Sequence, residues 1–188
     1  AEYSLALNLY SELASKLEAL GHSVYVEPLI SVRLDAGPVI PTEGINALVF
    51  TSANGARAAA RRIESRQIPV VTVGPASADA ARELGFKSVS ASPGNGVPEL
   101  VTHIRNTMKP GSRLLHITST HVAGDLAGEL TAAGFEVLSA QAYQAETSTA
   151  LTPELQAELR QGQISAAMFF SPRTASTFAE LAARANLA

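Results

Sequence analysis

Cysteine is absent from all 188 residues. That excludes a disulfide framework, a thiol nucleophile and any cysteine-ligated zinc or iron–sulfur centre. Long apolar runs are also lacking. None approaches the ~20 residues a helix needs to cross a bilayer, and no charged-then-apolar signal peptide opens the chain, so a cytoplasmic protein free of membranes is expected. Basic residues are scattered apart from Arg61-Arg62, and the net charge is −3. A basic face for nucleic acid is therefore not expected. Gly74-Pro75-Ala76 is not a Gly-x-Gly-x-x-Gly loop and no Walker lysine occurs, which disfavours nucleotide binding. What remains is an ordinary globular composition, 46% hydrophobic and 16% charged, long enough for one domain or two small ones.

The most informative stretch runs from Ala47 to Ala60. Ala47 to Phe50 is a short apolar run suited to a strand covered on both faces. Thr51-Ser52-Ala53-Asn54-Gly55 breaks it with small residues that can cap a helix, and strong helix formers follow. A helix start at the carboxyl end of a strand presents unpaired N–H groups and a partial positive charge, a setting for an anion. The design returns as Ala166 to Phe170, the turn Ser171-Pro172-Arg173-Thr174, and a helix from Ala175 to Ala183. Ser52 and Ser171 stand 119 residues apart. Two such turns so far apart suggest two related domains.

In order, the chain predicts a helix over Ala1–Leu20, with a leucine face and Gly21 as C-cap, then a strand over Ser23–Ile30. Ser31–Gly44, with four breakers, reads as a crossing segment. Regular alternation follows. Strands are expected at Ala47–Phe50, Pro69–Val73, Lys87–Ala91, Arg113–Ile117 and Glu136–Tyr143. Helices are expected at Gly55–Glu64, Ala78–Leu84, Val97–Met108 and Val122–Ala133. This is a doubly wound parallel sheet, whose ligands sit at the carboxyl ends of the strands. Gln144–Thr152 reads as a second crossing, followed by a helix over Glu154–Arg160 and the strand–helix pair already described. Residues 1–33 and 148–188 would form a discontinuous outer α/β domain, and 34–147 an inserted inner one with five parallel strands.

The residues then carry a resemblance. Leu-Glu-Ala-Leu-Gly-His (17–22), Val-Glu-Pro-Leu-Ile (26–30), Leu-Val-Phe-Thr-Ser-Ala-Asn-Gly (48–55) and Val-Gly-Pro-Ala-Ser-Ala (73–78) come first. Glu-Leu-Gly-Phe (83–86), Gly-Asn-Gly with Leu100 (94–100), Ala-Gly-Phe-Glu-Val (133–137), Ala-Tyr-Gln-Ala (142–145) and Phe-Phe-Ser-Pro-Arg-Thr-Ala (169–175) complete the set. In this order, over nearly the whole chain, they resemble the uroporphyrinogen-III synthase (HemD-like) family of tetrapyrrole biosynthesis. The resemblance implies two flavodoxin-like α/β domains joined by a two-stranded linker, with a cleft between them. The family's opening strand, usually ending Thr-Arg-Pro, and its final strand–helix units have no counterpart here, so the outer domain is expected to be incomplete in this chain. His121 stands where an arginine often follows the Ser119 strand.

The resemblance further implies a lyase that takes hydroxymethylbilane, expels its terminal hydroxyl, inverts ring D and closes the macrocycle, with no metal or redox cofactor. Such a substrate carries eight carboxylates. The helix-start turns that could receive them hold Thr51, Ser52, Ala53, Asn54, Ala76, Ser77, Gly94, Asn95, Ser119 and Ser171. Tyr143 matches the family tyrosine proposed to assist departure of the hydroxyl, as acid or hydrogen-bond donor. A monomer is the simple expectation. Plainer readings stand beside these: Ser52, Ser77 and Ser171 as helix caps, Gly94-Asn95-Gly96 as a turn, and Tyr143 as a packed aromatic. Ser119, His121 and Asp125 are local neighbours without a Gly-x-Ser-x-Gly elbow, so a hydrolase triad is not favoured. His116 and His121 lack the spacing of a helical metal site. A non-catalytic anion-binding or regulatory module of the same fold is the second reading.

Overall fold

The computed structural model describes residues 4–35, 37–94, 96–120 and 124–187. Its elements in order are α1 (Ser4–Ala19), β1 (Ile30–Leu34), β2 (Ala47–Phe50), α2 (Ala53–Arg62), β3 (Val70–Thr72), α3 (Gly74–Glu83) and β4 (Val89–Ala91). There follow α4 (Val97–Thr107), β5 (Arg113–Ser119), α5 (Leu126–Ala132), β6 (Glu136–Thr147), α6 (Pro153–Arg160) and α7 (Pro172–Arg184). The chain divides into two compact units. One comprises Ala1–Val32 with Ala145–Ala188, the other Arg33–Gln144.

The sheet order is β1-β6-β5-β2-β3-β4. From β6 to β4 every neighbouring pair is parallel. At β1 the direction reverses. The Asp35 amide donates to the Ala142 carbonyl and the Ser148 amide to the Leu29 carbonyl, both at 2.9 Å, so numbers rise on one side as they fall on the other. The five strands expected from the alternation are parallel, and the added β1 makes the sheet mixed.

In the unit Arg33–Gln144, β2 is buried at all four positions, as its unbroken apolar run requires. One face of the sheet carries Ala47, Val49, Val71 and Leu114 against Leu100 and Ile104 of α4 and Leu126 and Leu130 of α5. Truncating Leu114 or Ile104 to alanine there would cost about 2–5 kcal/mol. On the other face Phe50 meets Phe86 edge-on at 5.7 Å, and the Arg66 guanidinium lies 4.8 Å over Phe86. The alanines of α2 let it approach closely. A Cβ at Gly55 would stand 3.2 Å from the Ile117 carbonyl, so only glycine brings the helix start so near β5 without displacing it. At the other end of α2, Arg62 donates to the Pro38 and Gln141 carbonyls at 2.9 and 3.0 Å.

In the other unit, a cluster of Leu29, Leu151, Leu155, Leu181 and Ala182 packs α6 against α7. The Glu27 carboxylate accepts from the Thr152 amide at 2.9 Å and its hydroxyl at 2.8 Å, and Thr152 Oγ1 in turn caps α6.

Two expected strands are not formed. Ser23–Leu29 and Ala166–Phe170 are irregular among the described residues, and the strand occurs instead at Ile30–Leu34, running from the last residue of the expected strand into the expected crossing segment. Apolar residues measure what a segment could bury, whereas a strand also needs a neighbour for its backbone N–H and C=O groups. Ile30–Leu34 has β6; Ala166–Phe170 joins no strand of the sheet among the described residues, and Met168 and Phe170 are each 58% exposed. No helix among the described residues is long and apolar enough to cross a membrane.

Candidate active site

The carboxyl ends of β2, β5 and β6 converge at the start of α2. Ser52 leaves β2 with extended backbone (φ −158°, ψ 161°), and its Oγ accepts the Gly55 amide hydrogen at 3.3 Å. This N-cap satisfies one of the unpaired donors of the first turn and leaves others facing outward. Two strands away, Tyr143 sits on β6. The residue is 8% exposed, and its hydroxyl lies 3.0 Å from Ser52 Oγ. An irregularity between Thr118 and Ser119 makes this reach possible. Thr118 pairs with Gln141, but Ser119 pairs with Tyr143, so the end of β6 gains a residue on β5. Ser119 is buried directly beside the tyrosine.

Asn54 has a partner that the sequence did not signal clearly. Its Oδ1 accepts from the Arg57 guanidinium at 2.8 Å. Arg57 thus places a cation beside the first turn of α2, the end where the helix dipole disfavours it. No carboxylate pairs with Arg57 among the described residues. The three-residue spacing from Asn54 was the available clue.

The other expected receivers divide. Ser77 is not a cap. Helix α3 begins at Gly74, whose φ of +63° makes the turn, and Pro75 sets the next dihedral, so Ser77 falls buried within the first turn while Ala76 is exposed. Around Gly94 the position is already taken. A Cβ at Gly94 or Gly96 would lie 2.5 Å from Glu99 Cγ or Oε2, so Glu99 folds its carboxylate back over the start of α4. Asn95 and His121 lie outside the described residues, as do Val122 and Ala123 of the expected fifth helix and residues 1–3 of the expected first. The fifth helix begins later than expected, at Leu126, because Asp125 caps it by accepting from the Gly128 amide at 3.0 Å.

Ser171 belongs to the other unit. It repeats the Ser52 cap: φ −154°, ψ 151°, with Oγ accepting from the Thr174 amide at 3.1 Å. Arg173, two residues on, donates to the Ala145 carbonyl and to Thr147 Oγ1 at 3.1 and 3.0 Å. The two capped turns therefore match in geometry as well as in sequence, although no strand precedes the second.

Two further features lie away from Tyr143. A surface groove of about 300 Å³ along α4 is lined by Pro93, Pro98, Glu99, Thr102, His103 and Asn106, none of them in the tyrosine cluster. His116, in β5, is 2% exposed with Nε2 unpartnered among the described residues, and burial pushes its pKa down from 6.5 to about 4.

Comparison with known proteins decides the lineage. Residues 11–188 match the family described as Uroporphyrinogen-III synthase HemD. The chain belongs to the uroporphyrinogen-III synthase family. Its activity is accordingly that lyase reaction on hydroxymethylbilane. The solved uroporphyrinogen-III synthetase from Helicobacter pylori 26695 superposes with a TM-score of 0.60 at 16% identity, over 85% of this chain and 75% of that one. A mutant uroporphyrinogen III synthase from the extreme thermophile Thermus thermophilus gives 0.55 at 16% identity, over 90% and 71%. At that identity the structures testify to the α/β fold. No curated protein matches the chain.

Proposed function

We propose that this uroporphyrinogen-III synthase uses Tyr143 as the proton donor to the departing hydroxyl of hydroxymethylbilane. The observation that carries the assignment is the position of the phenol. It lies at the carboxyl end of the sheet, bonded to the cap of α2, with the ring buried and the hydroxyl next to a helix start able to receive an anion. Hydroxide leaves poorly unless protonated. A phenol held there gives its proton as the C–O bond breaks, and water departs. The proton released when the terminal ring carbon is substituted returns to the phenol, so the cycle balances with loss of one water.

Binding of the carboxylates falls, on this reading, to backbone N–H groups at Thr51, Ser52, Ala53 and Asn54 and to the Thr51 hydroxyl, with Ser119 beside Tyr143. Ala76, Ser77, Gly94, Asn95 and Ser171 are further candidates, the Gly94 loop the weakest because Glu99 already covers it. Arg57 joins them as the cation of the first turn. The two compact units correspond to the two α/β domains of the family; the matching caps at Ser52 and Ser171 support that correspondence. Control over which isomer forms then rests on holding ring D in one fold while the ring closes.

The test is an isomer assay. Freshly made hydroxymethylbilane is supplied, the products are oxidised, and the type I and type III porphyrins are separated chromatographically. Type III above the no-enzyme control is expected, and Tyr143→Phe should lower its yield by roughly 10²-fold. Only type I product from a folded protein would refute the reading.

A further inference from the structure

Ser52 makes two hydrogen bonds through one oxygen. Its Oγ takes the Gly55 amide hydrogen and also meets the Tyr143 hydroxyl. A serine hydroxyl has one proton and two lone pairs, and a phenol likewise has a single proton to give. The Gly55 amide uses one lone pair of Ser52 in any arrangement. One of the two hydroxyl protons must lie between the oxygens. The pair therefore has one proton left for a ligand.

Which proton is left decides what Ser52 does. If Tyr143 donates to Ser52, the serine proton is free to meet a substrate carboxylate. If Ser52 donates to Tyr143, the phenol proton is free and the serine can give nothing further. The phenol is the better acid of the two groups, and the chemistry needs a proton delivered to a leaving oxygen. As the phenol releases it, negative charge grows on the phenol oxygen, and a serine proton directed there strengthens its bond to that charge. The start of α2, reached through the same serine, adds a partial positive charge behind it.

We infer that the Ser52 side chain positions Tyr143 and its hydroxyl is not a carboxylate ligand: it fixes the phenol at the sheet edge and donates to its oxygen as the phenol proton leaves. The inference rests on the reading of Tyr143 as donor. Atoms balance as before, since the tyrosine proton goes to the hydroxyl oxygen and Ser52 keeps its own throughout.

The experiment is a double-mutant cycle on the whole chain, with kcat and KM for formation of the type III isomer. Ser52→Ala should lower kcat roughly tenfold with KM little changed, and adding it to Tyr143→Phe should cost nothing more. Ser52→Thr should recover most of the rate. Ser52→Asp keeps a good helix cap but has no proton to give; it should melt like the wild type and turn over as slowly as Ser52→Ala. Additive losses, a raised KM at unchanged kcat, or full activity in Ser52→Asp would each overturn the assignment, the last reducing Ser52 to a cap. A parallel cycle read by urea unfolding tests the bond without turnover. Coupling between positions 52 and 143 is expected, and strict additivity would refute the pairing. Loss of type III product from the wild type itself would sink the synthase reading, a failure distinguishable from any of these.

Discussion

His116 gives this protein a built-in sensitivity to mild acid, and its size can be worked out. The residue lies between Val49 on β2 and Ser139 on β6. Alternation from Leu114 puts it on the face covered by α4 and α5, whose packed residues Leu100, Val101, Ile104, Leu126 and Leu130 are all apolar. Burial is the sole cause of its pKa shift, and Nε2 has no hydrogen-bond partner among the described residues. Burial lowers its pKa to about 4, against 6.5 for an unhindered imidazole. Between those values the unfolded chain binds a proton that the folded chain refuses. Stability contributed by the neutral form is therefore complete above pH 6.5 and is lost as pH falls towards 4. Integration gives a loss of about 2 kcal/mol by pH 5 and about 3 kcal/mol by pH 4. The decisive window is pH 6.5 to 5, where surface carboxylates are still mostly ionised.

The assay is urea unfolding of the wild type and His116→Leu at pH 7, 6, 5.5 and 5. Leucine fills a similar volume and carries no proton, so the variant should escape almost all of the loss of about 2 kcal/mol that the wild type suffers over that range. In thermal melts the wild type should drop roughly 4–8 °C more than the variant. At pH 7 the variant should be as stable or more so, because an orphaned buried nitrogen costs about 1–3 kcal/mol. Parallel pH curves for the two proteins would refute the reasoning. So would an imidazole resonance of His116 that titrates near 6.5 in the folded protein.

Arg57→Ala should raise KM for hydroxymethylbilane roughly fivefold, from loss of about 1 kcal/mol of charge-assisted contact, while unfolding by urea changes little. Arg57→Lys should recover only part of the affinity, because an ammonium does not reproduce the planar fork, and an unchanged KM in both variants would remove Arg57 from the binding surface. Ser171→Ala should destabilise its unit by about 1 kcal/mol through loss of the α7 cap, with Ser171→Asp close to neutral; circular dichroism of the unfolding transition reads both. A cost confined to activity would mean that Ser171 contacts substrate and that its capping role is minor.

The fold was legible where a segment's own residues decide its conformation. The β2 run with Ser52 behind it, the caps at Ser171 and Thr152, and the five parallel strands all follow from apolar period and capping chemistry within a few residues. What was not legible depends on partners distant in sequence. Ser23–Leu29 and Ala166–Phe170 look as strand-like as β3, but β3 pairs with a strand on each side and neither of these joins the sheet among the described residues, so composition could not separate them. The start of α3 was misplaced for a different reason. Ser77 has the residue type of a cap, yet Pro75 and the positive φ of Gly74 act earlier in the chain and take the helix start from it.

The site shows the same division more sharply. A family resemblance could point to Tyr143, and capping could point to Ser52, but nothing local joins residues 91 positions apart in the chain. Their contact depends on sheet order, which puts β5 between them, and on one irregular pairing at Ser119 that advances the end of β6. A regular ladder would set Ser119 opposite Ala142, and side chains alternate along a strand, so position 143 would be displaced from its present place beside Ser119. The irregularity at Ser119 is thus the structural cause of the tyrosine–serine bond, and that bond is what would make an ordinary helix cap part of the proposed proton-donating pair. Sequence supplied the two groups; pairing of strands with no local signal for it supplied their chemistry.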